Sequence, residues 1–195
     1  MKPALLIIYS YLLGSIPFGI VLAKIKGVDL RKVGSGNIGA TNVLRAMGKG
    51  PALITLLGDL LKGTAAVGAA RMLGVGAGYE GLAGLAAIAG HNFPIFLRFR
   101  GGKGVATSLG VILIYMPQVG ILTAGLWLAT ALITRLSSLG ALVSFGFLPV
   151  GAYLYGGSKE KIAVSVAISA MLILRHTENI KRLIRGTERR IGERA

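Results

Sequence analysis

The chain has no cysteine among its 195 residues. Disulfides, thiolate nucleophiles and cysteine-based metal sites are therefore excluded. Acidic residues number only seven and histidines two, which argues against a metal centre, and no cofactor is expected. Charge is also scarce. Asp, Glu, Lys and Arg make up 15% of the chain, against 53% hydrophobic residues, where a soluble domain carries about 25% charge. The net charge of +15 would suggest nucleic acid in a soluble protein. Here the basic residues cluster at the ends of apolar runs without interleaved aromatics, so no nucleic-acid partner is expected. Glycine, at 30 residues, is well above the average of about 7% and has no collagen-like period. In membrane helices it permits close backbone packing.

What is present is a series of apolar runs. Seven spans are predicted, at about 3–24, 51–73, 79–97, 104–116, 118–134, 138–156 and 160–174. Together they make an all-α, polytopic membrane helix bundle, and residues 1–195 are read as one integral membrane domain. A crossing helix needs roughly 20 residues, so the fourth and seventh are short. Pro117 splits the run 104–134 into two helices, and a re-entrant hairpin there, giving five spans, is the alternative. Met1-Lys2 ahead of an apolar run resembles the start of a signal peptide. No small-residue cleavage site precedes Lys24, however, so the segment is read as a span. Seventeen of the 22 Lys and Arg then fall on one side, four (Lys2, Arg71, Lys159, Lys161) on the other, and Lys62 lies within a span. The positive-inside rule puts the basic side in the cytoplasm, with the N-terminus outside and the C-terminus cytoplasmic.

Two glycine-rich polar loops fall on that basic side. The first, Gly34 to Gly50, contains Gly34, Gly36 and Gly39 in the spacing G-x-G-x-x-G. A membrane span rather than a strand precedes it, so a dinucleotide fold is rejected. A helix starting near Asn37 or Ile38 would aim its amides at an anion and place Asn37, Thr41 and Arg45 on nearly one face, flanked by Ser35 and Asn42. The second loop contains Gly101-Gly102-Lys103-Gly104, followed by Thr107. It is not a Walker A motif, since the leading glycine is missing and Gly104 stands where Ser or Thr is required. Three glycines around one lysine at the start of an apolar helix still form an anion nest. Each loop also has a plain structural reading, as a capped interfacial helix and as an interhelical turn.

His91 and Asn92 are placed in the middle or upper part of the third span, either as a functional pair or as a packing hydrogen bond. Asp59 and Lys62, at i and i+3, are read as a structural ion pair. The segment Arg175–Glu188 reads as an amphipathic helix with His176, Asn179 and Leu183 on one side and Arg182 nearby. Ser137 and Ser138 in the remaining turn are read as a helix cap. A phosphate-holding site at a membrane face suggests an enzyme joining a lipid precursor to a phosphorylated metabolite.

The segments SGNIGATN at 35–42, GHNFPIFLRFRGGKGVAT at 90–107 and HTENIKRLIRGTE at 176–188 together resemble the bacterial acyl-phosphate:glycerol-3-phosphate acyltransferase family over essentially the whole chain. The match includes Ser35, Asn37, Gly39, Asn42, Arg45, His91, Gly101, Gly102, Lys103, Gly104, Thr107, His176, Asn179 and Glu188. The resemblance implies acyl transfer from acyl phosphate to glycerol 3-phosphate, giving 1-acylglycerol 3-phosphate and phosphate. It places the enzyme in the bacterial plasma (inner) membrane, among membrane lipids, at the first acylation of phospholipid synthesis. A functional link to the soluble enzyme making acyl phosphate is also implied. The residue chemistry agrees with this. Two basic loops suit two phosphorylated substrates, and an activated donor needs no covalent intermediate. The H-x-x-x-x-D pair common in thioester-dependent acyltransferases is missing, since Phe96 and Lys181 stand at that spacing after His91 and His176.

On this reading Lys103, the Gly101–Gly104 amides and Ser35 take the donor phosphate. Arg45, Asn179 and His176 hold the acceptor phosphate, with Asn37, Gly39, Asn42, Thr107, His91, Ser137 and Glu188 completing the binding set. The general base is either His176 or the donor's own phosphate, the second being preferred. A transporter for a phosphorylated solute is the alternative from a different class.

Overall fold

A computed structural model describes residues 3–193. Lys2 and Arg194, both counted in the charge tally, lie outside the described residues. The helices, in chain order, are α1 (Pro3–Gly14), α2 (Phe18–Ile25), α3 (Ala40–Met47), α4 (Lys49–Met72), α5 (Ala77–Asn92), α6 (Val105–Tyr115), α7 (Pro117–Thr134), α8 (Ser137–Gly146), α9 (Leu148–Leu154), α10 (Lys159–Arg175) and α11 (Thr177–Ile184). Each predicted span has a helical counterpart. Four segments are long and apolar enough to cross a membrane: Pro3–Ile25, Lys49–Met72, Pro117–Thr134 and Ser137–Leu154. The helices α5, α6 and α10 are shorter.

Local chemistry sets the breaks. Pro17 has no N–H to continue the ladder from α1 into α2, and the carbonyl of Ile16 accepts from Lys62 Nζ at 2.9 Å instead. Lys62 Nζ also lies 2.8 Å from Asp59 Oδ1, so the expected i, i+3 pair forms and is buried. The third span ends earlier than predicted, at Asn92 rather than 97. Pro94 disfavours helical geometry at Phe93, which has φ −133° and ψ 62°. His91 and Asn92 therefore occupy the last turn of α5 at the basic end, not the middle of a span. The helix in the first loop begins at Ala40, three residues after Asn37. The Asn37 carbonyl, which a helix starting there would bond to the residue 41 amide, accepts from the Asn42 side chain at 2.8 Å. Likewise α11 stops at Ile184, so Glu188 lies beyond the helix expected to contain it.

The core is formed where α4, α5 and α7 pack around α6, and residues of α8 and α10 complete the cluster. Val111 and Ile112 of α6 are fully buried against Val67, Ile88, Phe145 and Ile168. Because protein rather than lipid surrounds α6, an 11-residue helix suffices there. Glycine lets it approach α4 closely. A side chain at Gly63 would strike the Thr107 carbonyl, and one at Gly110 would strike the Leu60 carbonyl. Gly14 and Gly90 do the same for α1 against α5. Overpacking such a contact costs about 1–3 kcal/mol. Gly110→Leu should therefore lower the thermal midpoint in detergent. Gly125→Leu, where the space is open, should leave it unchanged.

Candidate active site

At one end of the bundle the first loop, the glycine loop, the α7–α8 turn and the C-terminal segment converge on a cavity of about 820 Å³. The glycine loop is placed by the end of α5. After Pro94 a 3₁₀ turn, Ile95–Leu97, and left-handed residues Arg98 and Phe99 reverse the chain. The Gly101 amide then donates to the Asn92 carbonyl at 3.2 Å and the Gly102 amide to the His91 carbonyl at 3.1 Å. These two amides, expected to face an anion, are thus spent within the protein. The open amides lie further on. Gly104, left-handed at φ 81°, caps α6, whose first hydrogen bond runs from Ser108 N to Gly104 O at 2.7 Å. The amides of Val105, Ala106 and Thr107 consequently have no partner one turn earlier. Gly104, Val105 and Ala106 line the cavity, while Gly101, Gly102 and Thr107 stand behind its wall.

Lys103 projects into the cavity wall and donates to Asn179 Oδ1. Asn179 Nδ2 donates in turn to Glu188 Oε1 at 2.6 Å. The same carboxylate accepts from Ser138 Oγ at 2.7 Å and from Arg182 Nε at 2.7 Å. Glu188 reaches this position because Gly186, at φ 69°, turns the chain back on α11, with Thr187 N bonded to Arg182 O at 2.8 Å. Burial favours the neutral acid at Glu188, but the hydrogen bonds from Ser138, Arg182 and Asn179 outweigh it and hold the carboxyl below its usual range. Burial pushes the Lys103 ammonium down to about 8, against the pull of Glu188. At neutral pH it remains mostly charged.

In the first loop Asn42 is an internal hub. Its oxygen accepts from the Ser35 amide at 2.8 Å, and its amide serves the carbonyls of Leu30, Val33 and Asn37. That arrangement brings Ser35, Asn37 and Gly39 to the cavity wall. Thr41 Oγ1 pairs with Ser137 Oγ at 3.1 Å. Ser137 and Ser138 therefore bond across the cavity, and neither side chain caps α8, whose N-cap is Leu136. Arg45 Nη2 donates to the carbonyls of Arg189 and Arg190 at 3.1 and 3.2 Å, and its Nε is buried without a partner among the described residues. Arg135 clasps the same segment, with Ile191 N donating to Arg135 O at 2.7 Å.

The histidines differ. His176 Nδ1 lies 2.8 Å from the Leu172 carbonyl. A carbonyl only accepts, so Nδ1 carries the proton and Nε2 is left as an acceptor. Burial pushes this imidazole down to about 4, so it is neutral at physiological pH. His91 sits deeper, with Nδ1 3.4 Å from Asp59 Oδ1 and its ring against Gly102. Both histidines reach the cavity wall.

The remainder of the lining is mostly apolar, with Leu53, Leu56, Leu57 and Leu60 of α4, Leu109 and Trp127. Leu53, Leu56 and Leu57 are 56, 41 and 47% exposed, so this wall opens sideways from the bundle. The sequence reading missed Ser138 and Arg182 as members of the polar network. Arg182 carried a signal, lying one turn from Asn179 on α11; Ser138 carried none.

A family model described as glycerol-3-phosphate acyltransferase matches residues 4–186. A glycerol-3-phosphate acyltransferase of Rhizobium meliloti is 52% identical over 96% of this chain and 92% of its own. One of Rubrobacter xylanophilus is 47% identical over 100% and 98%. The fold is similar to the crystal structure of PlsY (YgiH), an integral membrane glycerol 3-phosphate acyltransferase, in its glycerol 3-phosphate form. The TM-score is 0.94 at 41% identity, over 98% of this chain and 96% of that one. Its lysophosphatidic acid form gives 0.91 at 40% identity, with the same coverage. None of these findings supports the transporter alternative. The chain belongs to the glycerol-3-phosphate acyltransferase family of integral membrane enzymes.

Proposed function

We propose that the enzyme transfers an acyl group from an acyl phosphate to the 1-hydroxyl of glycerol 3-phosphate, releasing phosphate and lysophosphatidic acid at the cytoplasmic face of the bacterial plasma membrane. The observation that carries this reading is one cavity with a cationic, hydroxyl-bearing end and a leucine wall that opens sideways. A donor with a phosphate head and an acyl tail matches both halves. The basic end faces the cytoplasm by the positive-inside rule.

Lys103, the Ser35 hydroxyl and the open amides at the start of α6 take the donor phosphate, where the helix dipole favours negative charge. Arg45, whose buried Nε has no partner among the described residues, takes the acceptor phosphate beside the Thr41–Ser137 hydroxyl pair. Asn179 and Glu188 act through other residues: both ends of the Asn179 amide and the Glu188 carboxylate are engaged by protein groups, so they orient Lys103 and Arg182. The tautomer of His176 moves it away from the phosphate. An acceptor nitrogen repels phosphate oxygens and suits a hydroxyl, so Nε2 receives a hydrogen bond from the glycerol backbone.

The hydroxyl oxygen attacks the acyl carbon, a C–O bond forms, and the C–O bond to the leaving phosphate breaks. Lys103 and the α6 amides stabilise the charge that collects on the leaving group. The hydroxyl proton passes to that phosphate. An imidazole held near 4 is a poorly matched base at neutral pH, which supports the substrate-assisted route over His176.

The direct test is phosphate release from purified protein given palmitoyl phosphate, with and without glycerol 3-phosphate. Release should depend on the acceptor and yield lysophosphatidic acid; acceptor-independent release, or none, would overturn the reading. Lys103→Ala should lose on the order of 10³-fold in turnover, as expected for a donor aimed at developing charge. Substantial retained turnover would remove Lys103 from the site. His176→Ala should lose about 10- to 100-fold and raise KM for glycerol 3-phosphate, whereas complete loss of turnover with intact binding would make His176 the base. Lys103 has a pKa lowered towards neutrality, so its charge is present below about 8 and lost above it. The wild-type kcat/KM should accordingly fall roughly tenfold per pH unit above that point.

A further inference from the structure

We infer that Arg175 is a positioning residue, whose guanidinium fork sets the Gly101–Gly102 peptides and thereby aims Lys103 and the first amides of α6 at the donor phosphate. The inference rests on the proposed role of Lys103 and adds the group that places it.

The glycine loop has no helix or strand of its own at residues 101–104. Its order comes from outside. The amides of Gly101 and Gly102 bond the end of α5, and their carbonyls turn the other way, to Arg175. Nη2 donates to Gly102 O at 2.9 Å and to Gly101 O at 3.2 Å, and Nε donates to Gly102 O at 3.1 Å. All four backbone polar groups of the two glycines are therefore engaged, and one side chain satisfies two of them. The guanidinium is itself held against the Phe93 ring, 5.2 Å from its centroid. The His91 ring blocks the side of Gly102 where a side chain would stand. The peptide before Lys103 is thus gripped between α5 and the last residue of α10.

Position in the chain gives this grip a consequence. Arg175 immediately precedes His176 and stands one turn before Asn179. The same α10–α11 corner thus fixes the backbone just ahead of Lys103 and, through Asn179, the Lys103 ammonium. A planar fork is needed to span two carbonyls, and a lysine ammonium cannot reproduce it. With Arg175 removed, two carbonyls lose their donor, and the Gly102–Lys103 peptide, whose carbonyl Arg175 holds through two bonds, is free to rotate. Lys103 and the α6 amides then no longer converge.

The test uses purified full-length Arg175→Lys and Arg175→Ala with palmitoyl phosphate and glycerol 3-phosphate, alongside hydrogen exchange of peptides covering 101–107. Misplacement of a binding group by an ångström is worth about 100-fold, so kcat should fall by that order in both variants. KM for glycerol 3-phosphate, the thermal midpoint and exchange in α4 should stay near wild type. Exchange in 101–107 should rise, and guanidinium ion at low millimolar concentration should restore part of the Arg175→Ala rate. Unchanged exchange and kcat, or a loss matched by global unfolding and not rescued by guanidinium, would overturn the inference. Failure of the underlying reading looks different: wild type would turn over while Lys103→Ala also retained its rate, and the exchange result would still report on Arg175.

Discussion

One carboxylate holds the basic end together. Glu188 is the anion around which Lys103, Arg182, Asn179 and Ser138 are arranged, in a chain whose net charge is +15. Cations brought together out of water repel one another and resist desolvation, and the cluster is stable only if a counter-charge is fixed among them. Glu188 supplies it, and in doing so ties α8, α11 and the glycine loop to the C-terminal segment. It also pulls against the burial that lowers the Lys103 pKa. Because the carboxylate already occupies several donors, a phosphate entering the site must be met by the groups left over. In the proposed reaction those include the remaining Lys103 protons, the Ser35 hydroxyl, the Arg45 Nε and the amides that open α6.

A second polar stack runs beneath the site. The Ile16 carbonyl, at the break in the first span, meets Lys62; Lys62 meets Asp59; Asp59 meets His91; and His91 packs against Gly102. At membrane depth a polar group must find its partner inside the protein, so these residues are mutually required. Asp59 balances Lys62, and Lys62 satisfies the carbonyl at the Pro17 break. The stack reaches the glycine loop from below, as Arg175 does from the side.

The helix positions and the gathering of the motifs at one end were legible because they depend on apolar run length and on where Lys and Arg fall. The details of the site were less so. That His91 lies in a terminal turn depends on where Pro94 stops α5, and a proline tolerated as a kink would have given another answer. The engaged amides of Gly101 and Gly102 follow from the chain reversal at Arg98 and Phe99, two non-glycine residues in left-handed geometry, which sequence does not forecast. Ser138 meets Glu188 across 50 residues and Arg175 meets Gly102 across 73; local pattern carries no trace of either. Asn42 lines the cavity, but its four internal bonds are visible only in the folded loop.

The shape of the cavity bears on where recognition arises for the proposed reaction. An acyl chain already dissolved in the bilayer gains little apolar burial by moving against Leu53, Leu56 and Leu57, because lipid tails are as apolar as leucine. The leucine wall therefore sets the position of the donor more than its affinity. Selectivity must come from the headgroup, where neutral lipid and donor differ by a phosphate. That places the energetic weight on the basic end, where burial strengthens electrostatic attraction. It also explains why the anion-binding groups sit at the buried start of α6: there they meet the phosphate at the depth where the tail can remain among apolar side chains, and neither part of the donor has to leave its preferred surroundings.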